Sequence, residues 1–117
     1  EFRRVLFRSD GVDDLLAREP ETRFLILDLY PVNRVDSTAM HALSNMHRRL
    51  QEQGVTMLFS GVKGPVRDAF ARSGLADTLG QEAFFMRIHD ACHDAQRRLN
   101  TYLVGEAGAE SDPPEHA

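Results

Sequence analysis

The sequence is poor in cysteine, in long apolar runs and in concentrated positive charge, each of which would indicate a specialised class of protein. It contains one cysteine, Cys92, so no internal disulfide can form, which fits a reducing compartment. No apolar run approaches the ~18 residues that a membrane-spanning helix needs, so we expect no direct membrane span in this chain. The net charge is -4 and the 14 Lys and Arg residues are spread along the chain, which argues against nucleic acid as a partner.

The length predicts a single folded domain. At 117 residues the chain can bury one hydrophobic core but not two, and we place the domain at residues 10–104. Residues 1–9 alternate basic and apolar side chains and are interpreted either as a non-native leader, because they look like translated cloning sequence, or as a native edge strand. Residues 105–117 contain Gly, Pro and acidic residues without an apolar face, which predicts a disordered acidic tail.

Strand and helix patterns alternate along the middle of the chain. In order, the predicted elements are a strand over residues 23–30, a helix over about Thr38–Gln53, a strand over Thr56–Ser60, a helix from near Pro65, a short strand at residues 84–86 and a helix from about Ile88. Strands separated by helices pair in parallel through right-handed crossovers. The fold class is therefore α/β, with a sheet of mostly parallel strands flanked by helices.

The helices show which side chains we expect to be buried. The stripe of the first helix is Ala39, Leu43, Met46 and Leu50, and that of the second is Val66, Ala69, Phe70 and Ser73. Gly74 suits the left-handed position after the second helix, and Leu75 is expected to fold back on that helix.

The most informative stretch joins the first strand to the first helix, over residues 24–40. Its apolar run, Phe24 to Leu29 with Asp28 as the interruption, is typical of a strand covered on both faces. Asp36 and Ser37 are both good N-cap residues, because a side-chain oxygen there accepts from the free N–H groups of the first turn. A hydroxyl is thus expected at the positive end of a helix dipole, at the carboxyl edge of the sheet, where open α/β sheets place their ligands.

This junction and two later motifs resemble the STAS domain, the sulphate transporter and anti-sigma factor antagonist family. The later motifs are Gly54 to Val62 and Lys63 to Asp68, the second of which runs on to Arg72-Ser-Gly-Leu75. The resemblance covers roughly residues 11–99 and is greatest to the C-terminal cytoplasmic domain of SulP-type anion transporters. The sequence departs from the family at Ala39, where Gly is usual, and upstream of Gly11, where the opening strand or strands are not recognisable.

The resemblance implies a non-catalytic regulatory domain at the cytoplasmic face of the membrane, which contacts a protein partner or the transporter's own membrane domain. The implied interaction surface is Asn33, Asp36, Ser37, Thr38 and His41. The alternative is a free-standing anti-sigma factor antagonist, in which Ser37 is a phospho-acceptor and the phosphate adds about −1.5 to −2 charges. The other interpretation of Ser37 is a plain N-cap. A missing first strand would expose a sheet edge and favour self-association.

Catalytic and metal chemistry have weaker support in the sequence. His89 and His93 are four residues apart on the last helix, but a metal site needs a third ligand and none is evident. Ser37 and His41 have the same spacing without a nucleophile-elbow motif, and the glycines near Lys63 lack phosphate-loop spacing. We therefore expect no enzyme activity, no metal and no cofactor.

Overall fold

Four parallel strands form one sheet in the computed structural model, which describes residues 2–5 and 9–107. They are β1 (Phe2–Val5), β2 (Phe24–Asp28), β3 (Thr56–Ser60) and β4 (Phe84–Phe85), in that spatial order. The helices are α1 (Ser9–Arg18), α2 (Ser37–Glu52), α3 (Gly64–Ser73), α4 (Leu75–Leu79) and α5 (Ile88–Ala107), and a 3₁₀ turn covers Gln81–Ala83. The predicted parallel α/β class is confirmed.

The apolar run of β2 is buried on both faces of the sheet, as its composition predicts. Successive strand side chains point to opposite faces, and Leu25 and Leu27 pack with the buried side of α2 and α3. Ile26 and Phe24 pack on the opposite face against α5. Because helices cover both faces, the short central strands need no polar side.

Phe59, Phe70 and Phe84 hold α3 and β4 against the centre of the sheet. The Phe59 ring lies 5.2 Å from the Phe70 ring, edge to face, and 5.8 Å from the Phe84 ring, stacked, measured between centroids. Phe59 and Phe70 have no exposed surface. This cluster fixes the position of α3, which forms one wall of the groove described below.

The predicted boundaries of the central elements agree with the structure to within about a helical turn, and three details differ. Met40 rather than Ala39 takes the inward position at the start of α2, and Ala39 is only half-buried. Ser73, expected in the core, is exposed. Gly74 has the predicted left-handed conformation, with φ +86°, but buried Leu75 begins α4 instead of only folding back on α3.

The first part of the chain contains an element that the sequence did not predict, helix α1. Its Leu15 and Leu16 pack against the core shared by α2 and α3. The short apolar stripe and the internal Gly11 gave no clear helical period. Upstream of α1, residues 2–5 pair in parallel with β2 at the sheet edge, with Phe2 opposite Phe24. Whether residues 1–9 are native stays a prediction.

At the other end, α5 continues through Ala107, three residues into the stretch expected to be a disordered tail. The last turn of this helix therefore extends beyond the predicted domain boundary at residue 104. The rest of the expected tail, residues 108–117, lies outside the described residues.

Candidate interaction surface at the start of helix α2

The loop between β2 and α2 is tied to the end of β3 before it reaches the helix. Asp28 Oδ1 accepts hydrogen bonds from the Tyr30 backbone N–H and the Ser60 hydroxyl, each at 3.2 Å. Gly61 lies so close to this loop that a Cβ on it would be 2.8 Å from the Tyr30 Cβ, and its φ of +67° is itself a conformation that favours glycine. The polar interruption at Asp28 therefore positions the loop.

Asp36, and not Ser37, caps helix α2. The Asp36 backbone is extended, with φ −85° and ψ 175°, and its Oδ1 accepts from the Ala39 N–H at 2.8 Å. Ser37 is the first residue of the helix, and its side chain is exposed. The interpretation of Ser37 as a plain N-cap is thus wrong, because Asp36 is the residue whose side chain accepts the N–H group of the first turn.

Ser37 and His41 lie on one wall of an open groove between α2 and α3. The groove has a volume of about 310 Å³ and is lined by Val35, Ser37, Met40, His41, Ser44, Ala69, Arg72 and Ser73. Ser37 and His41 are one helical turn apart, which places them on the same face of α2. Arg72 brings a positive charge to the opposite wall, and the ion pairs found for the described residues do not include it.

The other predicted surface residues are used differently. Thr38 is exposed in the first turn of α2 but does not line the groove. Asn33 does not line the groove; its Oδ1 accepts from Nζ of Lys63, the residue before α3, at 2.7 Å. The sequence pattern did not place Arg72 and Ala69 at this surface, because only the packing of α3 beside α2 brings them to Ser37. The one sequence signal for them was the apolar stripe of α3, which includes Ala69 and predicts that this side of the helix faces inward.

The histidines do not form a ligand cluster in the part of the chain whose side chains are described. His89 and His93 are exposed on α5, and no three His, Cys, Asp or Glu side chains there are placed to hold a metal ion. Asp36 accepts from the helix backbone, and no hydrogen bond or ion pair joins its carboxylate to His41. Partial burial lowers the pKa of His47, on the inner part of α2, below its ordinary value.

The fold and this surface define a small parallel α/β domain with a groove beside an exposed helix start. The family model of the STAS domain matches residues 6–91, and the chain belongs to that family. No helix among the described residues has the length and apolar character required to cross a bilayer.

Relatives of this chain include proteins named as sulfate transporters. Sulfate transporter 4.1, chloroplastic, of Arabidopsis thaliana is 35% identical over 68 residues, which cover 58% of this chain and 10% of the transporter. The chain therefore matches about a tenth of that transporter's length.

Solved structures show the same fold. A sulfate transporter family protein from Wolinella succinogenes is 26% identical, with a TM-score of 0.75 over 85% of this chain and 88% of that one. The STAS domain of a SulP transporter from Vibrio cholerae is 19% identical, with a TM-score of 0.77 over 86% of this chain and 85% of that one. The second likeness supports the fold alone.

Proposed function

We propose that this chain is the regulatory STAS domain of a SulP-type anion transporter, that it acts without catalysis, and that it lies at the cytoplasmic face of the membrane. The observation that carries the proposal is the groove between α2 and α3, whose polar side chains Ser37 and His41 are exposed. Capping by Asp36 leaves both of them available for a partner. Transport itself belongs to a membrane domain, and the groove contacts that domain or a separate protein.

The groove has the chemistry of a docking site and not of an active site. Its floor is apolar, from Met40 and Ala69, and its rim is polar, from Ser37, His41 and Arg72. An apolar centre with a polar rim is the usual arrangement of a protein interface. His41 has no orienting carboxylate among the described residues, which supports a non-catalytic role.

A transport assay on the parent transporter tests this function. His41→Ala and Ser37→Asp are each expected to change the rate of sulfate uptake into proteoliposomes, while the isolated chain keeps its melting temperature. His93→Ala is the matched control, because His93 is equally exposed but lies on α5. Uptake that is unchanged in both groove variants would contradict the proposal.

The exposure of Ser37 favours a second candidate, a free-standing anti-sigma factor antagonist switched by phosphorylation. A phosphate on Ser37 would lie at the positive end of α2, which tolerates an anion, and in the same groove as Arg72. The fold would then persist while the partner surface changes. Incubation with a partner kinase and ATP, followed by intact-mass analysis, distinguishes the candidates: stoichiometric phosphate on Ser37 favours the antagonist.

A further inference from the structure

A second surface, separate from the groove, lies where β2, β3 and β4 end. We call it the Tyr30–Met86 patch; its principal side chains are Tyr30, Lys63, Arg67, Phe84 and Met86, which line an open cavity of about 330 Å³. Tyr30 is 67% exposed and Met86 is 87% exposed, and among residues 14–101, whose side chains the structure describes, they are the exposed large hydrophobic ones. Both therefore occur in one place.

Each of the two cations of the patch is held against an aromatic ring. Lys63 Nζ lies 5.0 Å from the centroid of the Tyr30 ring, and the Arg67 guanidinium lies 4.2 Å from the centroid of the Phe84 ring. Such cation–π contacts orient a charge without neutralising it. The two positive side chains are thus positioned at the cavity with their charge intact.

Like Arg72 at the groove, and unlike four arginines on other helices, Lys63 and Arg67 have no acidic partner among the described residues. Arg18, Arg87, Arg97 and Arg98 each pair with an aspartate on their own helix or helix start. Lys63 donates to the neutral Asn33 amide, and no carboxylate of the described residues pairs with Lys63 or Arg67. The patch therefore carries two uncompensated positive charges beside exposed apolar surface.

We propose that the Tyr30–Met86 patch binds an acidic segment of a partner protein. Carboxylates of the segment meet Lys63 and Arg67, and one bulky apolar side chain fills the cavity against Phe84 and Met86. Tyr, Met and Arg are the residue types enriched at protein interfaces. A small anion would meet the cations but leave Met86 exposed, and recognition of a lipid surface takes a larger cluster of about four to eight cations.

The four methionines provide the reporters for a direct test. In the full chain labelled at its methionine methyl groups, a synthetic peptide Glu-Asp-Leu-Phe-Asp-Glu is expected to shift the Met86 signal in a saturable way. Met46 and Met57 are buried elsewhere and are internal controls. Met40 lies under the Ser37 groove, so its signal distinguishes binding at that site. The amide peptide Gln-Asn-Leu-Phe-Asn-Gln controls for charge.

Reversal of one charge and removal of the other test the two cations. Lys63→Glu is expected to weaken binding of the acidic peptide by about tenfold or more, as truncation of a central interface contact does. Arg48→Glu, which reverses an exposed charge on α2, is the matched control and is expected to change the affinity by less than about twofold. Arg67→Gln is the second test variant, and unchanged Met46 and Met57 signals show that each variant is folded.

Four results would each overturn the proposal. They are the absence of a saturable Met86 shift, equal affinity for the amide peptide, a shift of Met40 in place of Met86, and equal affinity of the Lys63→Glu variant. Two further arms identify other occupants. A Met86 shift with ATP but not with the peptide would assign the patch to a small anion, and binding to phosphatidylglycerol vesicles that Lys63→Glu abolishes would assign it to a membrane surface.

Discussion

Replacement of Asp36 and Ser37 in turn tests which of the two residues caps helix α2. The Asp36 carboxylate accepts the Ala39 N–H at 2.8 Å, so Asp36→Ala removes a cap and leaves that N–H to water. Loss of such a cap costs about 1 kcal/mol, within a range of about 0.5–2. Ser37 makes no capping bond, so Ser37→Ala is expected to change the free energy of unfolding by less than about 0.5 kcal/mol.

A third variant separates the hydrogen bond from the charge. Asn caps a helix about as well as Asp but lacks the negative charge that interacts with the helix dipole. Asp36→Asn is therefore expected to cost only the charge contribution, about 0.3–1 kcal/mol, and this part is expected to diminish as salt is added. Ser37→Asp adds a charge at the same helix end and is expected to leave the stability near its original value.

The measurement is urea unfolding of the full chain, monitored by far-ultraviolet circular dichroism. The curves are fitted with one shared slope of unfolding free energy against urea concentration. The ranking expected is Asp36→Ala least stable, then Asp36→Asn, with Ser37→Ala equal to the parent. If Ser37→Ala costs as much as Asp36→Ala, the assignment of the cap is wrong. A loss of several kcal/mol in Ser37→Asp would instead show that Ser37 packs in the core.

Three further predictions concern the core and the loops. Gly61→Ala is expected to lower the free energy of unfolding by about 3 kcal/mol, because the residue has a positive φ and its new Cβ would lie 2.9 Å from the loop backbone. Gly54→Ala is expected to lower it by only about 1 kcal/mol, because Gly54 has a positive φ, +79°, but open space around it. Phe70→Ala is expected to cost about 3–5 kcal/mol, because it empties a fully buried site. Because burial lowers the pKa of His47, the unfolded chain binds that proton more readily, so stability is expected to fall as pH drops below 6.5 and to fall less in His47→Gln.

Urea unfolding checks the glycine and phenylalanine variants, and the same titration repeated between neutral and mildly acidic pH checks the histidine. Equal costs for the two glycine variants would contradict the close approach of the β2–α2 loop to β3. A Phe70→Ala variant as stable as the parent would contradict the aromatic cluster. A pH dependence that His47→Gln leaves unchanged would assign it to other groups.

The central elements were predictable because their signals are local. The unbroken run from Phe24 to Leu27 indicates a strand covered on both faces, and the helical spacing of Leu43, Met46 and Leu50 indicates one buried side of α2. Gly74 has a left-handed φ at the end of α3, as its position in the sequence predicts. Helix α1 was missed because its apolar stripe is short and Gly11 interrupts its pattern.

The identity of the cap was not predictable from local sequence. Both Asp36 and Ser37 have an oxygen that accepts an N–H, and local preference does not choose between them. The backbone becomes helical at Ser37, since the loop held by Asp28 and Gly61 delivers the chain with Asp36 still extended. That geometry makes Ser37 available at the groove.

By itself, the sequence determined the α/β class, the order of the central strands and helices, and the helix start at Asp36-Ser37-Thr38, because these depend on residues close together in the chain. Tertiary structure alone decided which side chains share a surface. Arg72 reaches the Ser37 groove only through the packing of α3 beside α2, and Lys63 meets Asn33 across 30 residues of sequence. The Ser37 groove and the Tyr30–Met86 patch both depend on contacts between segments distant in the chain, and local sequence patterns do not predict such contacts.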